Sequence, residues 1–390
     1  MHEQRKNESD RAQRLQAARR IVIKLGTSTV TADDGQLSKE RVEPIVRSIA
    51  HLMKPGKQVV LVTSGAVGLG RGWLGLHRSR LDDLVTKQAC AAVGQSLLMD
   101  AYKNLFAAFD VKIAQVLLTE EDFTNWRRYS NLQQTMEKLL GFGVLPIVNE
   151  NDTVSTAELE VSGEGTRRAA FSDNDRLAAL VMSGLEADAL VLLTNVEGLL
   201  RTDDESGSSV VRLVEEMTPE IKELASGVSA SGRGGMRTKL EAAEIAMNCG
   251  GTAVIANGDT PGVIENIFDG KETGTVFMPA TRMRGKRRWI AYAAGVRGRV
   301  MVDAGAHRAL TQGKASLLAS GVVRVESPFA PMDVVSIVDA DGREFARGVA
   351  NCASEEAERK SRDKNVAAGA EAGNGSLVLV TRDNIVLMQK

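Results

Sequence analysis

The stretch IVIKLGTS, residues 21–28, decides the fold: a strand-length apolar run carries one lysine near its end and breaks at a glycine turn. A strand that is apolar at successive positions, not alternate ones, is covered on both faces, as in a parallel sheet between helical layers. The pattern returns at QVVLVT (58–63), KIAQVLL (112–118), VLPIVN (144–149), ALVLLT (189–194) and TAVIAN (252–257). Between these runs, residues 39–53, 81–109, 129–140, 175–184 and 236–248 read as helices, and glycine or asparagine closes most of the units. Strands alternating with helices predict an α/β domain over residues 20–280, a three-layer αβα sandwich around a mainly parallel sheet.

The rest of the chain reads differently. Its 390 residues exceed one ordinary core. After residue 280 comes RMRGKRRW (282–289), with five basic residues in its first seven positions, which reads as a linker or an exposed turn, the basic linker being set at 281–295. Short strands with hairpin chemistry follow, including a turn at Asp339-Ala-Asp-Gly342, and predict a small β-rich domain over 296–390. Within it, SRDKNVAAGAEAGNGS (361–376) reads as flexible. Residues 1–19 are expected as a charged, frayed tail without the apolar centre of a signal peptide, which places the chain in the cytoplasm. The longest apolar runs are strand-length, so no membrane helix is expected. A net charge of −1 gives no general pull toward nucleic acid.

Some chemistry is excluded early. Cys90, Cys249 and Cys352 are far apart and odd in number, and His2, His51, His77 and His307 are equally scattered. No disulfide framework, no metal-ligand spacing and no Ser–His or Cys–His pair is indicated; packing is the expected role of these residues.

Ligands of open parallel sheets bind beyond the carboxyl ends of the strands, so the residues there are the candidates. The first strand ends in Lys24, followed by Gly26; a lysine in a buried strand either emerges into a site or snorkels to solvent. The second ends in Thr63-Ser64-Gly65-Ala66, where Ser64 either caps a helix or joins a carboxylate or phosphate site with the Gly65 N–H. Asn149-Glu-Asn-Asp152 is a polar cluster at the end of the fourth, readable as a solvated loop or as ligand contact. Asp173-Asn174-Asp175 opens a helix, where acidic residues are favoured by the dipole in any case. Thr194-Asn195 follows the fifth. GRGGMRTK (232–239) concentrates Arg233, Gly234, Gly235, Met236, Arg237, Thr238 and Lys239, yet it lacks the order of a P-loop. Gly70-Arg-Gly-Trp-Leu-Gly75 has the letters of a dinucleotide fingerprint but sits well past the strand, and is set aside. Two lysines with acidic partners suit phosphoryl transfer, in which positioning and charge neutralisation do most of the work. A carboxylate acceptor, with a reference pKa of about 4, needs no base at neutral pH.

VIKLGTS, VTSGA, IVNEND, DND and GGMRTK occur in the order found in the amino acid kinase family, and the set resembles its glutamate 5-kinase branch, whose bacterial members commonly carry a C-terminal PUA domain. Sister branches acting on aspartate, N-acetylglutamate, carbamate or UMP share much of the layout and stay open as alternatives. The resemblance implies ATP-dependent phosphorylation of L-glutamate on its γ-carboxylate, in proline synthesis. It implies Mg2+, homo-oligomers, inhibition by L-proline, and hand-over of a labile product to the next pathway enzyme. By the same resemblance Lys24 and Lys239 hold the transferred phosphoryl group and Asp175 orients the lysines or the metal-bound phosphates. Gly26 and Gly65 supply N–H groups. Ser64, Gly65, Asn149, Asp152 and Asn174 contact glutamate, and Thr194, Asn195 and residues 233–239 line the ATP site. Three features depart from the family pattern: Asn195 stands where aspartate is usual, Arg233 replaces a small residue, and the segment before Asp173 is longer, with Ser172 in place of glycine. A second class of function, RNA binding through the PUA-like domain and the basic segment with Arg297 and Arg299, is weakened by the absence of interleaved aromatics.

Overall fold

A computed structural model describes residues 2–32, 34–77, 81, 83–119, 121–154, 174–203, 207–226, 235–279, 285–293, 295–313, 315–366 and 377–388. The chain divides into two units: Met1–Asp122 with Ser130–Arg282, and Phe123–Tyr129 with Met283–Lys390.

The first unit begins with α1 (His2–Ala17), β1 (Arg20–Leu25), α2 (Thr27–Val30), α3 (Lys39–Met53) and β2 (Gln58–Val62). Then come α4 (Ala66–Trp73), α5 (Leu84–Ala107), β3 (Ile113–Leu118), α6 (Glu121–Thr124) and α7 (Trp126–Gly141), of which residues 123–129 belong to the second unit, and β4 (Leu145–Glu150). It continues through α8 (Asn174–Leu185), β5 (Ala189–Thr194) and the short strands β6 (Leu200–Asp203), β7 (Gly207–Val210) and β8 (Leu213–Val214). Last are α9 (Pro219–Glu223), α10 (Met236–Asn248), β9 (Thr252–Asn257), α11 (Val263–Phe268) and β10 (Thr275–Phe277).

Eight strands form one sheet in the order β3-β4-β2-β1-β5-β9-β10-β8. Pairing is parallel from β3 to β9; β10 alone runs antiparallel to its neighbour β9. Six strands, β1, β2, β3, β4, β5 and β9, carry the runs expected as strands, and every residue of β5 is buried. Only the edge strand β3 keeps most of its residues partly exposed. Lys24 lies level with Val62 on one side and Leu192 on the other, and the carboxyl ends of the six parallel strands from β3 to β9 emerge along one edge of the sheet.

Residues 66–73 form a helix of their own, antecedent to α5, and this explains the glycines of 70–75. A Cβ on Gly70 would lie 1.8 Å from the Cys90 carbonyl oxygen, and one on Gly94 1.7 Å from that of Ala66. The glycines let α4 and α5 touch backbone to backbone. All three cysteines are buried as free thiols.

The expected frayed tail is instead the helix α1. Leu15 and, just past the helix, Ala18 are buried in the main core with Ile264 and Phe268 of α11, while the Gln16 side chain donates to the Asp269 carbonyl at 2.8 Å. Charged and polar side chains fill most of this segment, but two well-placed apolar ones suffice once α11 supplies a surface.

The second unit contains α12 (Gly285–Arg288), β11 (Val296–Val302), α13 (Ala304–Gly313), β12 (Leu317–Leu318), β13 (Val322–Ser327), β14 (Val334–Val338), β15 (Glu344–Val349), α14 (Ser354–Val366), β16 (Val378–Val380) and β17 (Ile385–Leu387). Five strands form a sheet in the order β13-β11-β14-β15-β17. The expected hairpin joins β14 to β15, with Gly342 at φ 77° in its turn. Two expectations are corrected. The basic segment is not wholly exposed: Arg288 and Trp289 are both 1 % accessible. Trp289 donates its indole N–H to the Phe123 carbonyl at 2.7 Å and meets Trp126 edge-on, ring centres 5.0 Å apart. These aromatic contacts explain why residues 123–129 group with the second unit. Also, the first six residues of the stretch read as flexible, 361–366, lie in α14, which buries Ala357; residues 367–376 lie outside the described residues.

Candidate active site

Lys24, at the carboxyl end of the central strand β1, is only 3 % exposed, and Lys239, on the first turn of α10, only 6 %. Their ammonium groups converge on one carboxylate. Lys24 Nζ lies 2.7 Å from Asp175 Oδ1 and Lys239 Nζ 3.0 Å from Asp175 Oδ2. Asp175, in the first turn of α8, is completely buried. Burial alone would raise its pKa, but the adjacent ammonium groups of Lys24 and Lys239 outweigh desolvation and hold it down at about 2. The carboxylate is therefore ionised at neutral pH.

Two positive charges thus face one negative charge in a nearly dry setting. Burying charge is expensive unless it is matched, and within this triad one positive charge is in excess. Such an arrangement favours an incoming anion, and the N-terminal ends of α8 and α10 add to the same field. Lys24 thereby takes the first of its two readings, a lysine that emerges into a site. Gly26 lies against the Lys24 ammonium, where a Cβ would make ordinary contact at 3.7 Å.

Beside the triad lies a group of amides and hydroxyls. The Asn174 amide nitrogen lies within donating distance of the Thr63 carbonyl (2.8 Å), Ser64 Oγ (2.8 Å) and Asn149 Oδ1 (3.1 Å). Ser64, Asn149 and Asn174, all proposed from sequence, are therefore in one cluster. Ser64 makes no side-chain cap for α4; the position before that helix is Gly65, at φ 108°, in the left-handed region that favours glycine. A Cβ on Gly65 would also approach Val30 Cγ1 to 2.9 Å. Asp152 is half-buried in the turn after β4.

The residues expected at the nucleotide are more dispersed. Thr194 is buried at the end of β5, its hydroxyl 3.3 Å from Asn195 Oδ1, and Asn195 is exposed. Gly235 precedes α10 and Met236 opens it. Arg237 is exposed and pairs with Glu241 one turn along its own helix, at 3.2 Å. The Thr238 hydroxyl lies 3.0 Å from both Asp175 Oδ2 and the Gly235 carbonyl, so it braces the triad. Arg233, Gly234, Ser172 and Asp173 lie outside the described residues, as does the segment 155–173.

Three site-supporting residues were not singled out from sequence. Gln95 of α5 accepts a hydrogen bond from the Asn149 side-chain nitrogen at 3.0 Å. Thr63 and Tyr102 share a hydrogen bond of 2.8 Å between their hydroxyls, and burial pushes the Tyr102 pKa up, so its hydroxyl stays neutral. The available signal was weak: a glutamine and a tyrosine on the buried side of an otherwise apolar helix, each needing a partner.

Comparison with known proteins identifies the family. Residues 19–257 match the model of the amino acid kinase family, and residues 298–368 match the PUA domain. A glutamate 5-kinase of Moorella thermoacetica is 44 % identical over 379 residues, covering 96 % of this chain and 97 % of the relative. One of Caldanaerobacter subterraneus subsp. tengcongensis is 41 % identical, covering 95 % and 98 %. One of Myxococcus xanthus is 45 % identical over 340 residues, covering 86 % and 87 %. With a buried two-lysine, one-carboxylate centre at the strand ends and this likeness along nearly its whole length, the chain belongs to the amino acid kinase family, in its glutamate 5-kinase branch with a C-terminal PUA domain.

Proposed function

We propose that the first unit transfers the γ-phosphoryl group of ATP to the γ-carboxylate of L-glutamate, giving L-glutamyl 5-phosphate and ADP as the entry to proline synthesis. The observation that carries this reading is the Lys24–Asp175–Lys239 triad beside the Ser64–Asn149–Asn174 cluster. A carboxylate oxygen of the acceptor attacks the γ-phosphorus while the bond to the β-phosphate bridging oxygen breaks. No proton has to be removed, because the acceptor is already ionised. Charge spreads over the transferring oxygens, where the two ammonium groups are already aimed without reorganisation. Asp175 keeps both lysines charged and in place, and Thr238 holds Asp175.

Among the described residues no three His, Cys, Asp or Glu side chains gather to hold a metal ion. Mg2+ would be carried in on the nucleotide phosphates and not held by a cage of protein side chains alone. When bound it neutralises phosphate charge; the protein's own part is the lysine pair. Thr194, Asn195 and the residues from Arg233 to Lys239 are assigned to ATP, and Gly65, Asp152, Asn149, Ser64 and Asn174 to glutamate. L-proline as inhibitor, a homo-oligomeric state, the cytoplasm as location, and a downstream enzyme that takes the labile product belong to the same proposal. Among the described residues, no helix is long and apolar enough to cross a membrane.

The test is incubation with ATP, Mg2+ and single acceptors, trapping acyl phosphate with hydroxylamine. Hydroxamate from L-glutamate is expected, with suppression on adding L-proline. Hydroxamate from aspartate or N-acetylglutamate but not from glutamate would sink the reading.

A further inference from the structure

The amide orientations of the polar cluster follow from one backbone group. The Thr63 carbonyl can only accept, so the Asn174 side-chain nitrogen must face it, at 2.8 Å. That same nitrogen faces Asn149 at 3.1 Å, which must therefore present its oxygen. The Asn149 nitrogen then points the other way, to Gln95 at 3.0 Å, and Gln95 must present its oxygen in turn. Gln95 is 8 % exposed and comes from α5, an element that contributes none of the residues proposed from sequence. Among the described residues, the relay leaves two buried polar atoms open: Asn174 Oδ1, an acceptor, and Gln95 Nε2, a donor. The Asn174 nitrogen has two hydrogens for three acceptors, so the Ser64 oxygen, at 2.8 Å, shares them with Thr63 and Asn149, and this contact does not use the Ser64 O–H.

We propose that Gln95 is a positioning residue for the acceptor: by fixing Asn149, which supports the Asn174 amide already set by the Thr63 carbonyl, it helps the site read an α-amino acid zwitterion. An ammonium group needs acceptors and a carboxylate needs donors. The relay leaves one acceptor and two donors uncommitted in the polar cluster that Asn174 joins to the phosphoryl-transfer triad through its neighbour Asp175. Without Gln95 to accept from it, Asn149 can turn its amide and set its nitrogen against the Asn174 nitrogen, which then stays on the Thr63 carbonyl and Ser64 without its third partner. The inference rests on glutamate being the acceptor, so the experiment separates the two.

The variant is Gln95→Met, which keeps size and apolar contacts but neither accepts nor donates strongly. Gln95→Leu serves as the second variant should the first fail to fold, with melting curves recorded for each. Initial rates are measured with L-glutamate and with glutarate, the same dicarboxylate without its amine. The expected result is a rise in KM for glutamate of about tenfold, equivalent to about 1.4 kcal/mol. KM for ATP and kcat should stay within about twofold, and the preference for glutamate over glutarate should narrow. Unchanged glutamate KM in a folded variant, or equal losses for glutamate and glutarate, would overturn the proposal. If the unsubstituted protein does not use glutamate at all, the proposed function falls first.

Discussion

Replacing Asp175 by asparagine tests the energetics of the centre most directly. The substitution keeps shape and removes the one negative charge between Lys24 and Lys239. Desolvation works against the carboxylate, yet the two ammonium groups hold its pKa at about 2 against an ordinary 3.8. At about 1.4 kcal/mol per pH unit, the ionised group contributes on the order of 2 kcal/mol to folding at neutral pH. Loss of a partner from a buried ion pair can cost about 3–5 kcal/mol; the smaller figure is preferred because the lysines border a ligand site and do not lie in a sealed core. For a unit of this size, D175N should melt roughly 4–8 °C lower at pH 7. Because the folded pKa lies below the unfolded one, the unfolded chain takes up the proton first as pH falls. The contribution is complete above about pH 4, is about half gone by pH 3, and vanishes below about pH 2. The assay is calorimetry of both proteins from pH 7 to pH 3, reading the transition of the first unit. Equal stability at pH 7, or a gap that stays constant down to pH 3, would refute the reasoning.

Other outcomes follow from the same geometry. Lys24→Ala and Lys239→Ala should each lower kcat roughly 10²–10³-fold, with smaller changes in KM for glutamate, in a coupled ADP assay; near-normal turnover in both would remove the lysine clamp. Gly65→Ala, at φ 108° and with its new Cβ 2.9 Å from Val30 Cγ1, should destabilise by more than about 1 kcal/mol in denaturant titration. Trp289→Ala empties a buried site and removes the indole hydrogen bond to the Phe123 carbonyl, so the transition of the second unit should lose about 3–5 kcal/mol; an unaltered transition would mean that the aromatic cluster does not support that unit.

The architecture was legible because its cause is local. Strands covered on both faces must be apolar throughout, and IVIKL, QVVLV and ALVLLT announce that without reference to anything distant. The antiparallel β10 and the hairpin of β6 and β7 were not legible, since three or four residues carry too little period. Helix α1 escaped because charge dominates its sequence and, of its apolar side chains, Leu15 with the adjoining Ala18 reaches the core. Trp289 was read with its basic neighbours, although its ring is buried against residues more than 150 positions earlier.

The sequence by itself determined a lysine at the end of a buried strand, carboxylates and amides at other strand ends, and a glycine-rich approach to Lys239. Those features follow from local hydropathy and from the order of motifs. Only the tertiary structure decided that Lys24 and Lys239 share Asp175, that Thr238 braces it, and that Gln95 accepts from Asn149. The physical reason is topological. The order β4-β2-β1-β5-β9 gathers strand ends that are remote in the chain along one edge, and no local pattern records which side chains then meet.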